Sequence, residues 1–125
     1  MTATRTDGER LRHRSAHTAR LQSGHGGRDI YGSVSRWRVK DGQQHELEQL
    51  LNELMREMPP GSRGVSVYRS DADPQEYWVA GSWDSKDAYA TNSNRPDTDA
   101  NFRRFRALLE SDPEWHDGEI ILTRP

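Results

Sequence analysis

The sequence contains no cysteine, which excludes a disulfide framework, a thiolate zinc site and a cysteine nucleophile. It also lacks any apolar run of the roughly 18 to 20 residues that span a bilayer, and its N-terminus has no apolar signal core. Hydrophobic residues make up 31% of the chain and charged residues 30%, as expected of one small globular domain. We therefore interpret the protein as cytoplasmic and not membrane-bound.

The first 29 residues are poor in large apolar side chains, with only Leu11 and Leu21. This segment contains six arginines and three acidic residues, so its formal charge is +3. Because the whole chain has a formal charge of −2, residues 30–125 carry −5. Such a segment cannot bury enough apolar surface to offset the entropy lost on ordering. The composition predicts a flexible basic N-terminal tail over residues 1–29 and a folded domain over residues 30–125.

An arginine-rich arm that contacts nucleic acid or an acidic partner is the alternative function for this tail. No aromatic residue lies among its arginines, and stacking side chains are typical of proteins that bind single-stranded nucleic acid. The composition therefore argues against a nucleic-acid partner.

From residue 30 onward, the hydrophobic pattern predicts four strands and two helical regions. Short segments rich in valine, tyrosine and tryptophan predict strands at residues 30–40, 64–70, 75–83 and 119–123. A leucine and methionine stripe predicts a helix over residues 47–58, ended by the Pro59-Pro60-Gly61 stop. A second helix begins after Asp84 or Ser85, breaks at residues 92–96 and resumes over residues 97–111. Residues 114–118 are predicted as a turn. The order βαββαβ predicts an α+β fold, the ferredoxin-like plait.

The predicted third strand carries apolar side chains on both faces. Tyr77, Val79 and Trp83 alternate with Trp78 and Ala80. The helices of the chain cover one face of a four-stranded sheet, so the other face needs a second layer. We expect a homodimer that forms through this sheet face.

Two passages carry a resemblance to a known family: GSWDSKDAY at residues 81–89 and PEWHDGE at residues 113–119. Together with the plait, they make residues 30–125 similar to the antibiotic biosynthesis monooxygenase family of dimeric α/β barrels. The resemblance implies two plaits paired sheet to sheet, each with a pocket between its sheet and its helices. Members of the family oxidise polyketide anthrones or other electron-rich phenols to quinones with dioxygen. The resemblance therefore implies a small aromatic substrate, dioxygen as co-substrate, no cofactor and no metal.

By position, the resemblance assigns catalytic roles to Trp83, Tyr89 and Arg103, with Arg104 as the alternative arginine. A phenol or enol reacts with oxygen as its anion, and an arginine beside the developing oxyanion supplies charge in a dry pocket. The tryptophan and tyrosine walls stack on a polycyclic substrate, and the tyrosine hydroxyl relays a proton.

Six residues are further candidates for substrate binding. Val79 stands where the family has an asparagine, and Asn92 replaces that amide only if the helix extends one turn past Tyr89. His116 titrates near neutral pH and is a candidate base, although its neighbours predict a tight turn. The complete predicted substrate-binding set is Asn92, Arg104, Val79, Trp37, Phe105 and His116.

Three alternatives stay open. The same pocket suits a small-molecule-binding dimer or a non-oxidative polyketide cyclase or isomerase. The alternative for Trp83 and Tyr89 is a structural place in the core, and the alternative for Arg103 and Arg104 is a surface ion pair. A haem-degrading branch of the family fits less well, because Ser35 takes the position of its strand asparagine and no histidine lies between His45 and His116.

Overall fold

A computed structural model of the chain describes residues 29–125. The predicted tail over residues 1–29 lies outside this part of the chain except for Asp29, and it stays a prediction. Four strands and three helices follow in order: β1 (Tyr31–Arg38), α1 (Gln44–Leu54), β2 (Ser62–Arg69), β3 (Glu76–Trp83), α2 (Lys86–Ser93), α3 (Pro96–Arg106) and β4 (Glu114–Glu119).

The four strands form one antiparallel sheet with the order β2-β3-β1-β4. β1 and β3 are the two central strands, and the short turn after β2 makes β2 and β3 the predicted hairpin. The element order and this sheet order confirm the α+β ferredoxin-like plait.

One face of the sheet carries the core, because side chains alternate along each strand. Tyr31, Ser35 and Trp37 of β1 lie opposite Trp83, Val79 and Tyr77 of β3, and all six are buried. The helices close over this face with a shared set of apolar residues. The main core cluster is Trp37, Val39, Leu47, Leu51, Tyr77, Val79, Phe105 and Leu109.

Both long helices end earlier than their hydrophobic stripes predict. α1 ends at Leu54, with the backbone N–H of Met55 bonded to Leu51 O, and four residues separate this helix end from the Pro59-Pro60-Gly61 stop. α3 ends at Arg106, and the following backbone bonds back to β1: Glu110 N–H donates to Arg38 O, and Val39 forms a bridge with Leu109. The apolar residues past each helix end still pack on the core, as Met55 and Leu108 do.

The predicted last strand was wrong in position. β4 spans Glu114–Glu119, where a turn was expected, and places Trp115 opposite Ser35 and Asp117 opposite Ser33 of β1. The apolar residues that suggested a strand at 119–123 follow it: Ile121 is 90% exposed and Leu122 67% exposed. The strand is instead held by backbone pairing with β1, a signal that hydrophobicity does not report.

The opposite face of the sheet is partly apolar and is not covered by any described element. Val34 of β1 is 42% exposed and Tyr68 of β2 is 59% exposed. Trp78 and Ala80 of β3 point to the same side, since their register partners are Tyr68 and Val34. This outer face is the one for which a second layer was expected.

Candidate active site

A cavity of about 800 Å³ lies between the inner face of the sheet and the helices. All four strands and all three helices, or the loops that end them, contribute to its lining. This volume is in the range of pockets that bury a small organic ligand. Six aromatic side chains line it: Trp37, Trp83, Tyr89, Phe102, Phe105 and Trp115.

The aromatic walls pair strand residues with helix residues. Trp83 at the end of β3 meets Tyr89 of α2 with ring centroids 6.0 Å apart. Trp37 of β1 meets Phe105 of α3 edge to face at 5.2 Å. Such pairs fix ring orientation beyond what burial alone does. The cavity therefore presents flat apolar surfaces, which suit an aromatic ligand.

A carboxylate joins two hydroxyl groups at one end of the cavity. Ser33 Oγ donates to Asp117 Oδ1 at 2.6 Å, and Tyr89 Oη donates to Asp117 Oδ2 at 3.2 Å. Ser33 and Tyr89 line the cavity, while Asp117 lies behind them and outside the lining. β4 brings Asp117 beside Ser33 in register, and α2 adds Tyr89, so the sheet and this helix together build the Ser33–Tyr89–Asp117 group.

Trp83 supplies a hydrogen-bond donor beside the same end. Gly81 lies opposite Ser33 in the sheet, and a Cβ on Gly81 would lie 3.9 Å from Trp83 Nε1. The missing side chain leaves room at the cavity floor in front of the indole N–H. Within residues 29–125, no hydrogen-bond acceptor is found for Trp83 Nε1, so this donor remains available to a ligand.

A buried cation stands behind the aromatic cluster. The Nζ of Lys86, a side chain only 6% exposed, is 5.7 Å from the centroid of the Tyr31 ring. That ring in turn lies 5.4 Å from the ring of Tyr89. A cation over an aromatic face is attracted by the ring quadrupole, so Lys86 helps to hold the start of α2 against the sheet.

Other polar groups of the lining are bonded to one another. Trp37 Nε1 donates to Ser35 Oγ at 2.7 Å, so this indole N–H is committed within the protein. Thr98 Oγ1 donates to Asn92 Oδ1 at 3.1 Å, which leaves the amide N–H groups of Asn92 as donors. The cavity therefore has a small number of polar groups of defined direction.

Six of the predicted site residues meet at this cavity. Trp83 and Tyr89 lie at its polar end. α2 extends past Asn92 to Ser93, as the replacement of the family's asparagine by Asn92 requires. Val79 occupies the floor as an apolar group, 8% exposed. The predicted residues that line the cavity are Trp37, Val79, Trp83, Tyr89, Asn92 and Phe105.

The three other predicted residues do not line the cavity. Arg103 is 79% exposed in its side chain and pairs with Asp99 at 2.9 Å. Arg104 pairs with Glu53 at 3.5 Å. His116 is on the outer face of the sheet, opposite Val34, because side chains alternate along β4.

Several residues of the site were not singled out from the sequence. Ser33 shares one face of β1 with Tyr31 and Trp37, so the alternation of that strand could have indicated it. Asp117 and Trp115 were hidden by the misplaced last strand. Arg95, in the connection between α2 and α3, lines the cavity with its side chain 43% exposed, and no pattern in the sequence pointed to it.

Residues 29–125 hold no group of three or more histidine, aspartate or glutamate side chains that could bind a metal ion. Across the same residues, no helix has the length and hydropathy of a membrane span.

Comparison with known proteins identifies the family of the chain. The sequence profile of the antibiotic biosynthesis monooxygenase family matches residues 30–109. SnoaB from Streptomyces nogalater, described as a cofactor-independent oxygenase, has a similar structure with a TM-score of 0.66 and 22% identity, covering 78% of this chain and 98% of SnoaB. None of the curated proteins matches the chain significantly.

Two further solved structures are similar. A candidate antibiotic biosynthesis monooxygenase from Chloroflexus aurantiacus has a TM-score of 0.66 and 24% identity, covering 77% of this chain and 97% of its own. Rv0793 from Mycobacterium tuberculosis has a TM-score of 0.67 and 14% identity, covering 77% of this chain and 99% of its own. At these identities the structures share the fold, while the family profile covers most of the folded domain. The chain belongs to the antibiotic biosynthesis monooxygenase family.

Proposed function

We propose that the protein is a cofactor-independent monooxygenase that oxidises a phenolic or anthrone-like aromatic compound with dioxygen. The observation that carries this proposal is the aromatic-lined cavity with hydroxyl and indole groups at one end. Membership of the monooxygenase family supports it, as does the likeness to SnoaB, an oxygenase described as cofactor-independent.

The reaction balances without an outside reductant. A methylene carbon between aromatic rings loses its two hydrogens and gains one oxygen atom as a carbonyl, and the second oxygen atom of dioxygen leaves as water. The substrate carries the electrons, because its enolate or phenolate anion reacts with oxygen. The protein binds the flat substrate between its aromatic walls, accepts or relays its proton and excludes water.

Trp83 and Tyr89 are the proposed catalytic residues, since both line the polar end of the cavity. Tyr89 Oη relays a proton, and Trp83 stacks on the substrate and donates its N–H. Arg95 takes the role that the family resemblance gave to Arg103, because Arg95 lines the cavity beside α2. It stabilises negative charge that develops on a substrate oxygen.

Oxygen uptake by purified, metal-stripped protein tests this function over a panel of anthrones and dihydroxynaphthalenes. We expect uptake that survives chelation and falls by about 100-fold in Tyr89→Phe, the scale of lost acid–base catalysis. Arg103→Gln is the matched control for Arg95→Gln: the first leaves uptake unchanged, and the second lowers it. Uptake no faster than autoxidation of the substrate alone would refute the oxidation.

A non-oxidative role of the same cavity is the second candidate, either ligand binding or acid–base chemistry of the cyclase or isomerase kind. The observation that favours it is the exposure of Arg103 and Arg104, each of which pairs with an exposed carboxylate at the edge of the cavity. Clear quenching of tryptophan fluorescence by the aromatic panel, without oxygen uptake, would support this candidate.

A homodimer through the outer face of the sheet belongs to the same proposal. Val34 and Tyr68 leave apolar surface on that face, and a second copy of the chain offers the same surface in return. Burial of this surface against a partner copy would complete the two-layer arrangement that a sheet apolar on both faces requires. A cytoplasmic location remains a prediction from the sequence.

A further inference from the structure

Ser35 is a buried polar residue on the floor of the cavity. It lies in β1 directly opposite Val79 of β3, and its side chain is on the inner face of the sheet with those of Ser33 and Trp37. Only 2% of the residue is exposed, and it lines the cavity. A ligand that lies against the sheet therefore meets this hydroxyl group, with the apolar side chain of Val79 beside it.

The indole of Trp37 fixes the direction of this hydroxyl group. Trp37 Nε1 donates to Ser35 Oγ at 2.7 Å, and an indole nitrogen is a donor only. Ser35 Oγ is therefore the acceptor in this bond, and its own proton must point elsewhere. Among residues 29–125, no acceptor for that proton is found, so it remains available to a group in the cavity.

A hydroxyl group in this setting is a stronger donor than an isolated one. Hydrogen bonds in a chain polarise one another, so the bond accepted from Trp37 makes the Ser35 proton a better donor. The pair is held in place by packing, because Trp37 is 4% exposed and its ring meets Phe105 edge to face. A ligand that covers a buried donor without supplying an acceptor binds weakly. The floor therefore favours a ligand with an oxygen atom at this point.

We propose that Ser35 is a specificity-determining residue that donates a hydrogen bond to the carbonyl oxygen of an aromatic ketone in the cavity. This inference rests on the proposed function and names the group by which the substrate is held. In an anthrone, the ketone oxygen carries the negative charge once the methylene carbon has lost a proton. Because hydrogen bonds to an anion are stronger than those to a neutral oxygen, the same donor stabilises the enolate more than the ketone.

Binding of two ligands of nearly the same shape tests the inference. The probes are 1-tetralone and 1-methylenetetralin, in which a methylene group replaces the carbonyl oxygen, and the readout is quenching of tryptophan fluorescence. We expect the parent protein to bind 1-tetralone about tenfold more tightly, the scale of one buried hydrogen bond. In Ser35→Ala, the ratio of the two dissociation constants should fall several-fold toward one.

Ser35→Ala also leaves the indole N–H of Trp37 without its acceptor, which destabilises the core. The comparison is therefore repeated in a Trp37→Phe background, where no indole N–H is left unpaired. Adding Ser35→Ala to Trp37→Phe should again lower the ratio. Ser111→Ala, at an exposed position in a loop, is the matched control and should have the ratio of the parent. A general loss of stability would weaken both ligands together and leave the ratio unchanged.

The nuclear magnetic resonance signal of the Trp37 indole N–H gives a second readout, assigned by its loss in Trp37→Phe. When the Ser35 proton is donated to a ligand oxygen, Ser35 Oγ becomes a stronger acceptor for the indole N–H. The indole proton should therefore move further downfield with 1-tetralone than with 1-methylenetetralin. This difference between the two ligands should vanish in Ser35→Ala.

The outcomes separate this inference from the proposed function. Binding of neither ligand, equal binding of both by the parent, or a ratio that Ser35→Ala leaves unchanged in both backgrounds overturns the role of Ser35, while oxygen uptake with anthrones can still stand. A preference for 1-tetralone that depends on Ser35, without oxygen uptake, supports ketone recognition and refutes the oxidation.

Discussion

Gly81 gives the cavity its depth next to the polar end. It lies in β3 between Val79 and Trp83, and a Cβ there would meet Gly64 O, Trp83 Nε1 and Val65 Cγ2 at 3.8 to 4.0 Å. These are ordinary contacts, so the backbone accepts an alanine without strain. The added methyl group would occupy space that a ligand needs.

We predict that Gly81→Ala keeps the fold and weakens the binding of 1-naphthol by about tenfold, the scale of an overpacked site. The control is Gly118→Ala in β4, where a Cβ meets nothing within 4 Å and points to the outer face. Fluorescence titration gives the two dissociation constants. Unchanged binding in Gly81→Ala would place the ligand elsewhere in the cavity.

At the residue scale, the sequence indicates the aromatic part of the site better than its polar part. Trp83 and Tyr89 stand in a recognisable passage, with the strand end and helix start that position them. Asp117 could not be found, because its role depends on register with Ser33, 84 residues away. Arg103 was a reasonable candidate by position. A helix presents neighbouring residues to different sides, however, and the side chain of Arg103 lies on the solvent side.

Among the elements, α2 carries the most site residues for its length. Its eight residues begin after Ser85, whose Oγ accepts a hydrogen bond from Ala88 N at 3.1 Å. This cap satisfies one of the unpaired N–H groups at the helix start. A short helix depends strongly on its cap, because few internal hydrogen bonds support it.

We predict that Ser85→Ala lowers the free energy of unfolding by about 1 kcal/mol, measured as a lower urea midpoint with the same slope. Ser85→Asn keeps an acceptor at this position and should recover most of the loss. Ser111→Ala, at an exposed position in a loop, should change stability little. Equal stability of all three variants would show that α2 does not need the cap.

The start of β3 is joined to β1 by ion pairs that titrate with acid. Arg36 Nε bonds Glu76 Oε2 at 2.5 Å, and this hydrogen bond lowers the pKa of the Glu76 carboxyl. Arg38 Nη1 bonds Asp73 Oδ2 at 2.6 Å, which lowers the pKa of Asp73 in the same way. A carboxyl with a lowered pKa in the folded state stabilises the protein above its ordinary pKa and loses that effect as the pH falls.

We therefore predict that the free energy of unfolding declines as the pH is lowered from about 5 toward 2, through the ordinary carboxyl range and below it. The decline should be shallower in Glu76→Gln, which has no proton to take up at this position. Glu57→Gln, at an exposed position after α1, should keep the slope of the parent. Urea unfolding at a series of pH values measures how the free energy of unfolding depends on pH. Identical slopes in all three proteins would contradict the prediction.

Element boundaries show where sequence patterns stop being informative. The stripes of α1 and α3 continue past the helix ends because those residues remain in the core without being helical. The last strand was misplaced because Ile120, Ile121 and Leu122 are the most apolar residues near the C-terminus, yet only Ile120 packs on the sheet, against Gly32. Backbone pairing with β1 decides where β4 lies.

The overall architecture of the molecule could be predicted more completely than its element boundaries or its polar site residues. Alternation in four segments and one apolar stripe are enough to give the element order of the plait, and short connections limit the arrangements that the sheet can take. The cavity volume and the direction of its polar groups depend on distances between elements, which no local pattern contains.

At this scale, we predict a homodimer with twice the 14.4 kDa mass of one chain. Tyr68→Lys places a charge on the outer face, where Tyr68 is 59% exposed, and should shift the protein toward the single-chain mass. Val67→Lys is the control, because Val67, directly before Tyr68 in β2, points to the other side of the sheet. Light scattering after size-exclusion chromatography gives the masses. A parent protein at the single-chain mass would contradict the dimer.

The most direct test of the proposed oxidation is the fate of the oxygen atoms. An anthrone is incubated with metal-stripped protein under ¹⁸O₂, and the mass of the quinone product is measured by mass spectrometry. The same reaction with Tyr89→Phe is the control. We predict one ¹⁸O atom in the quinone, formed at a rate that falls strongly in the variant. A product formed no faster than without protein, or formed equally by Tyr89→Phe, would contradict the account.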